Sequence, residues 1–130
     1  MDFPSSFRAW LKDVLAEPVP KEVVAFSFNL FESAGVDGVN FGVKLVGAPD
    51  FDPDNSDWAC DEVWEVNPRT LDIPVVFSGT EWDASLKRMT SLIQSVLDSN
   101  SPESNTLKSR NAVVVGFVDG DLDVVWSTKP

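Results

Sequence analysis

The sequence predicts a single α+β domain over residues 1–130, with two helices packed on one face of a mainly antiparallel sheet. Three features of the 130-residue chain indicate this class. Two stretches space their apolar residues as helices do, several others alternate them as strands do, and helices and strands do not alternate regularly along the chain. The predicted order of elements is α-β-β-β-(β)-α-β-β, in which the bracketed strand is a short edge segment.

The first helix is predicted where apolar side chains begin to recur with helical spacing. Ser5 and Ser6 are suitable N-cap residues, while Pro18 and Pro20 end the helix. The apolar stripe occupies positions i, i+3, i+4, i+7 and i+8, which are Phe7, Trp10, Leu11, Val14 and Leu15.

Residues 23–46 are predicted to form a β-hairpin, because two runs of alternating apolar residues flank a glycine-containing turn. The two runs are Val24, Phe26, Phe28 and Leu30, and then Val39, Phe41, Val43 and Leu45. A third strand is predicted at residues 62–66. Residues 73–77 are the edge segment, because Pro74 lacks the N–H that a central strand needs.

The second helix is predicted within residues 78–100, with Thr80 as its cap. Its apolar face comprises Trp82, Leu86, Met89, Ile93 and Val96. The polar, serine-rich residues 99–111 that follow are predicted to form a mobile loop.

The C-terminal residues 113–126 are predicted to form a second hairpin around Asp119 and Gly120, a dipeptide that favours two-residue turns. The pairs that such a turn produces are Phe117 with Leu122, Val115 with Val124, and Val113 with Trp126. These six side chains then lie on one face, and Asp121 and Asp123 lie on the other.

The net charge restricts the partners of this chain. Twenty-one acidic and ten basic residues give a charge of −11, which disfavours binding to nucleic acids and to anionic membranes. No signal peptide or membrane span is predicted. Cys60 is the only cysteine, which excludes an internal disulfide and fits a reducing compartment. The sequence therefore predicts a cytoplasmic protein with a basic protein partner.

The charge is concentrated in residues 50–65, hereafter the acidic segment, which holds seven carboxylates and no basic residue. They are Asp50, Asp52, Asp54, Asp57, Asp61, Glu62 and Glu65. The spacing of the first three resembles an EF-hand loop, but Asn55 stands where that loop needs glycine and Asp57 where it needs an apolar residue. No metal is therefore expected, and a solvated acidic surface is the favoured interpretation.

Catalysis is not expected either. The chain has no histidine and no tyrosine, and it lacks the phosphate-binding and nucleophile-elbow motifs. Cys60 lies beside acidic residues, which disfavour a reactive thiolate. No cofactor is predicted, and an enzyme based on carboxylates is the weakest alternative.

Two tryptophans, Trp58 and Trp64, lie within the acidic segment. Aromatic side chains among carboxylates are typical of surfaces that recognise cationic proteins. The other interpretation is a core tryptophan beneath a polar loop. The sequence does not decide between them.

The stretches "FNLFESAG", "DWACDEVWEV" and "GFVDGDLDVVW" give the chain its resemblance to a class of bacterial proteins. It resembles the small acidic cytoplasmic immunity proteins that neutralise contact-dependent or polymorphic toxins. The resemblance implies a non-enzymatic inhibitor that binds a cognate toxin, often a basic nuclease.

The sequence thus predicts a binding protein of immunity type, which contacts a basic effector through its acidic surface. The predicted contact residues are Asp50, Asp52, Asp54, Asp57, Trp58 as an apolar anchor, Asp61, Glu62 and Glu65, with Asp121 and Asp123 as a secondary set. One alternative is a self-associating accessory domain, including a homodimer, whose acidity serves only solubility. The other is a cation-binding protein or a carboxylate-based enzyme.

Overall fold

The computed structural model describes residues 2–33, 37–52, 58, 62–64, 70–117 and 122–128. Its helices are α1 (Phe3–Val14), α2 (Val75–Ser78), α3 (Trp82–Leu97) and α4 (Pro102–Leu107). Its strands are β1 (Ala25–Glu32), β2 (Val39–Ala48), β3 (Thr70–Pro74), β4 (Ala112–Phe117) and β5 (Leu122–Ser127). The predicted α+β class is confirmed.

The strands of the described residues form one sheet in the order β3-β2-β1-β4-β5. The pairs β1–β2, β2–β3 and β4–β5 are antiparallel, whereas β1 and β4 are parallel. The predicted hairpin of β1 and β2 is confirmed, and its ladder runs from Ala25 opposite Ala48 to Glu32 opposite Phe41. The parallel pair joins this hairpin to the C-terminal one.

The helices α1 and α3 pack on one side of the sheet, hereafter the helix face. This face presents Phe26, Phe28 and Leu30 of β1, which belong to the main core together with residues of both helices. The opposite side, hereafter the second face, carries Ser27 and Asn29, which are also buried. Strand β1 is therefore buried on both faces over residues 25–30.

Helix α1 begins earlier than predicted. Its N-cap is Asp2, whose Oδ1 accepts a hydrogen bond from the backbone N–H of Ser5 at 3.0 Å. Pro4 is compatible with a first helical turn, so the assignment of the cap to Ser5 or Ser6 is wrong. All five residues of the predicted apolar stripe are buried.

Helix α3 confirms the longest helical prediction, with two errors at its start. Leu86, Met89, Ile93 and Val96 lie against or within the main core. Trp82 was predicted to share this face, but its side chain is 59% exposed. Trp82 is the first residue of the helix, and its ring contacts Phe117 at a centroid distance of 6.2 Å. Glu81, not Thr80, is the N-cap, without a side-chain hydrogen bond.

The predicted loop at residues 99–111 contains helix α4, so this prediction is wrong. Ser101 caps the helix by accepting a hydrogen bond from the N–H of Ser104 at 3.2 Å. Leu107 is fully buried in the main core. The hydroxyl of Ser104 donates to the carbonyl of Leu97 at 2.6 Å, which joins α4 to the end of α3. Capping and one buried leucine thus order a stretch of polar composition.

The short segments before α3 were predicted only in part. Near the predicted third strand, Trp64 forms an isolated antiparallel bridge with Gly47, and Val63 donates its N–H to the Gly47 carbonyl at 2.9 Å. Glu62 belongs to no strand, and residues 65 and 66 of the predicted strand lie outside the described residues. The predicted edge segment divides at Pro74, which ends β3 at the sheet edge and also caps α2.

The C-terminal hairpin is confirmed, but most of its predicted register is wrong. Val113 pairs with Trp126 as predicted, whereas Val114 pairs with Val124 and Val115 with Asp123. A β-bulge between the first two of these pairs adds one residue on β5, and such an insertion reverses the faces of the side chains beyond it. Val124 is consequently 46% exposed. Asp119, Gly120 and the turn lie outside the described residues.

Candidate functional site

At one end of the sheet, the second face accommodates an aromatic ring. Ala25 of β1 lies opposite Ala48 of β2 and opposite Ala112 of β4. The three alanines thus form a row across the central strands, and their small side chains leave room above the sheet. Trp58 packs in the cluster that contains this row, and only 5% of its surface is exposed. We call this group the second cluster.

The acidic segment is attached to the sheet through two aromatic residues. Phe51 packs against the second cluster, and its ring meets that of Trp58 edge-on, with centroids 5.2 Å apart. Phe51 is flanked by Asp50 and Asp52, which are both exposed. The carboxylate of Asp50 also accepts a hydrogen bond from the N–H of Phe51 at 2.7 Å. The half-buried ring of Phe51, packed against the second cluster, therefore holds two carboxylates at the surface.

Glu62 differs from these two carboxylates in its surroundings. Its Oε1 lies 3.6 Å from Nζ of Lys44, and the side chains of Glu62 and Lys44 are 15% and 30% exposed, respectively. The neighbouring ammonium offsets the charge of this carboxylate. Glu62 thus contributes less to the outward negative field than the exposed Asp50 and Asp52.

The structure describes half of the predicted contact residues. Asp50, Asp52 and Asp123 are exposed, Glu62 is half-buried, and Trp58 is buried. The predicted residues that lie outside the described part of the chain are Asp54, Asp57, Asp61, Glu65 and Asp121. Asp50, Asp52, Trp58 and Glu62 belong to one region of the second face, whereas Asp123 does not.

The sequence left Trp58 open between an apolar anchor for the partner and a core residue, and its burial places it in the core. Its indole fills the space above the alanine row, so it stabilises the domain that carries the acidic segment. A partner could reach it only if the second cluster opened. Trp64 is also core-associated, because its ring packs against the main core and meets Phe26 edge-on at 6.0 Å.

An exposed tryptophan occurs elsewhere, at a position that sequence reasoning assigned to the core. Trp82 lies between the exposed Glu81 and Asp83, and its ring contacts that of Phe117 at a centroid distance of 6.2 Å. An aromatic ring among carboxylates is the pattern that was predicted for Trp58 and Trp64. The sequence signal that could have located it is the pair of acidic residues flanking Trp82 at the helix start.

Asp123 lies on the same side of the sheet as Trp82 and not on the side that was predicted. It pairs with Val115, a residue of the main core, so its side chain belongs to the helix face of the edge strand β5. Phe117, which contacts Trp82, also packs against the main core. The shift in register thus moves Asp123 from the predicted polar face to the helix face.

Two further properties of the described residues bear on the class of site. Their His, Cys, Asp and Glu side chains form no group of three or more that could hold a metal ion. No helix among them is both long enough and apolar enough to cross a membrane. Comparison of the chain with protein-family models, with curated proteins and with solved structures yields no match.

Proposed function

We propose that this chain is a non-enzymatic binding protein, an inhibitor of immunity type that neutralises a basic bacterial toxin or effector in the cytoplasm. The acidic segment forms its contact surface. One observation carries the proposal: Phe51 is packed against the second cluster while Asp50 and Asp52 on either side of it are exposed. Carboxylates held on a packed scaffold lose little freedom when they bind a cationic partner.

The charge of the whole chain supports the same choice of partner. A net charge of −11 accelerates the encounter with a basic protein and repels acidic surfaces. Exposed carboxylates act mainly on the association rate, because attraction between unlike charges operates before contact. Asp50 and Asp52 are therefore assigned to the steering of the encounter.

A non-catalytic role fits the residues that the chain contains. The full sequence has no histidine and no tyrosine, the side chains most often used for proton transfer besides carboxylates and lysine. Among the described carboxylates of the acidic segment, Asp50 and Asp52 are exposed and Glu62 lies beside Lys44. The exposed Asp50 and Asp52 lack the apolar pocket that tunes a catalytic acid.

A second candidate surface is favoured by one specific observation, the exposure of Trp82 between Glu81 and Asp83. Exposed tryptophans are frequent binding hot spots when a partner buries them. This surface lies on the helix face at the far end of the sheet from the alanine row. It is a separate contact surface for the same class of basic partner.

The proposal is tested by capturing the partner from the native bacterium and measuring its association rate as a function of salt. Reversal of Asp50 and Asp52 to Lys should slow association at low salt by about tenfold and weaken its salt dependence. The matched control reverses Glu81 and Asp83, which makes the same change in net charge at the second surface. We expect this control to associate much faster than the first variant.

If the Glu81 and Asp83 variant associated more slowly than the Asp50 and Asp52 variant, the contact surface would be the one around Trp82. Wild-type association by both variants would contradict the proposal of an acidic contact surface altogether. The alternative of a self-associating accessory domain predicts a different result, a molar mass that rises with protein concentration in light scattering without any partner. Hydrolytic or transfer activity of the purified chain would contradict the non-enzymatic role.

A further inference from the structure

A groove lies on the helix face between α1 and α3, on the other side of the sheet from the second cluster. Its volume is about 680 Å³, which is within the usual range of sites for small organic ligands, about 300–1,000 Å³. Phe77 and Leu92 are among its apolar lining residues, and Ser91 and Ser95 supply hydroxyl groups. The groove combines an apolar surface with a few polar groups, as ligand sites do.

The charged residues of the groove are all basic. Arg8, Lys87 and Arg88 line it, and no lining residue is acidic. These are three of the ten basic residues in a chain with twenty-one acidic ones. Within the part of the chain that the structure describes, none of the three forms an ion pair with a carboxylate. Three cations that have no ion pair with any described carboxylate thus line one groove.

Hydrogen bonds position the two guanidinium groups at the groove. Nη2 of Arg8 donates to the hydroxyl of Ser95 at 3.3 Å, which joins α1 to α3. Nη1 of Arg88 donates to the carbonyl of Phe77 at 2.5 Å. Each guanidinium carries five N–H donors in a planar fork, so both retain donors that can bind a carboxylate, sulfonate or phosphate oxygen.

We propose that this groove binds a small amphipathic organic anion, with an aromatic or alkyl body and one acidic head group. The body lies against Phe77 and Leu92, and the cations that line the groove, Arg8, Lys87 and Arg88, attract the head group. Charge-assisted bonds from these side chains supply orientation, while the apolar lining supplies buried area. The groove and the acidic segment lie on opposite faces, so this inference does not depend on the proposed function.

The test uses two fluorescent probes that share an aromatic body and differ in the head group. They are 8-anilinonaphthalene-1-sulfonate and the uncharged N-phenyl-1-naphthylamine. We expect the sulfonate to bind saturably with one site per chain, and to bind at least about tenfold more tightly than the uncharged probe. In a ¹⁵N–¹H NMR titration, the sulfonate should shift the amides of residues 84–95 and of residue 8.

A charge reversal at Lys87 tests the role of the cations. Lys87 is exposed on α3, so Lys87→Glu should leave the fold intact, and we expect it to weaken binding of the sulfonate by about tenfold. Lys21→Glu is the matched control, because it makes the same change in net charge at an exposed turn outside the groove. We expect it to bind as the wild type does.

Three results would overturn the inference. Equal losses in Lys87→Glu and Lys21→Glu would show that the probe senses only net charge. Equal affinities for the two probes would show that the cations do not select an anion. NMR shifts confined to residues outside the groove would place the probe elsewhere.

Discussion

The indole of Trp58 and the ring of Phe51 meet at an interplanar angle of 83°, with their centroids 5.2 Å apart. This pair covers the alanine row on the second face and carries the flanking carboxylates outward. Trp58, although it lies inside the most acidic stretch of the chain, therefore stabilises the fold. The first prediction follows from that role.

Trp58→Ala should lower the free energy of unfolding by about 3–5 kcal/mol, because it removes a large buried side chain and leaves a cavity above the sheet. The control is Trp82→Ala, which removes the same side chain where it is mostly exposed and should cost about 1 kcal/mol. Urea unfolding followed by far-ultraviolet circular dichroism measures both. Equal losses in the two variants would contradict the assignment of their environments.

Two strand glycines should differ in their tolerance of alanine. A Cβ at Gly47 would lie 2.9 Å from Cε3 of Trp64 and 3.0 Å from Cγ2 of Val23, and both neighbours are held by the main core. Gly47→Ala should therefore destabilise by about 1–3 kcal/mol.

The control for Gly47 is Gly42, where a Cβ would approach Cζ of Phe31 even more closely, at 2.5 Å. Phe31 is only half-buried, so its ring can turn away, and Gly42→Ala should cost less than Gly47→Ala. Thermal unfolding midpoints of the two variants decide the order. A larger loss at Gly42 would show that the ring of Phe31 is fixed in place.

The junction between α3 and α4 should depend on one buried hydroxyl. Ser104→Ala removes the donor to the Leu97 carbonyl and should cost about 1–2 kcal/mol. Thr106→Ala is the control, because the hydroxyl of Thr106 donates to Pro102 within the same helix, and this change should stay within about 0.5 kcal/mol. The midpoints of urea unfolding, at an unchanged m-value, measure the loss of stability in both variants. A neutral Ser104→Ala would show that α4 is not held by this bond.

The N-cap of α1 should make stability depend on pH. The hydrogen bond from the backbone N–H of Ser5, with a further one from its side chain, holds the pKa of Asp2 below the ordinary value of 3.8. A carboxyl with a lower pKa in the folded state stabilises the fold above its unfolded pKa, and this contribution disappears as the pH falls through the folded pKa.

Asp2→Ala should accordingly lower the unfolding midpoint at neutral pH, and the difference from the wild type should shrink as the pH falls below 3.8. Asp13→Ala is the control at the other end of α1. An acidic residue near a helix C-terminus is unfavourable, so its removal should raise stability at neutral pH. A loss in Asp2→Ala that does not change with pH would exclude the carboxylate as its cause.

The sequence was most informative where apolar residues follow a local period. The stripe of α1, the hairpin of β1 and β2 and the buried face of α3 were predicted because helix and strand periods differ. Helix α4 was missed because its stability depends on a cap and on Leu107, and six residues are too few for a period to be recognised.

The errors in the C-terminal hairpin have a different origin. Val124, Val125 and Trp126 are consecutive apolar residues. The sequence of β5 therefore does not show which face of the strand packs against the core. The bulge places Val125 and Trp126 against the main core and exposes Val124. A bulge is a property of strand pairing, and alternation along one strand does not reveal it.

The environments of two tryptophans could not be predicted because they depend on residues distant in the sequence. The position of Trp58 is determined by alanines from three strands, Ala25, Ala48 and Ala112. Trp82 lies at the start of α3, three residues before Ser85, which is the first buried residue of that helix. The acidic segment itself was predicted from composition alone. That Asp50 is exposed whereas Glu62 is paired with Lys44 could be learned only from the fold.

The parallel pairing of β1 with β4 also affects the order in which the parts of the sheet form during folding. The hairpin of β1 and β2 and the hairpin of β4 and β5 each join neighbouring segments, so each closes a short loop. The register that places Ala25 beside Ala112 can form only after most of the chain has been brought together. Contacts of such long sequence separation slow folding. The docking of the two hairpins is therefore expected to limit the folding rate, and the alanine row that holds Trp58 is completed only at that step.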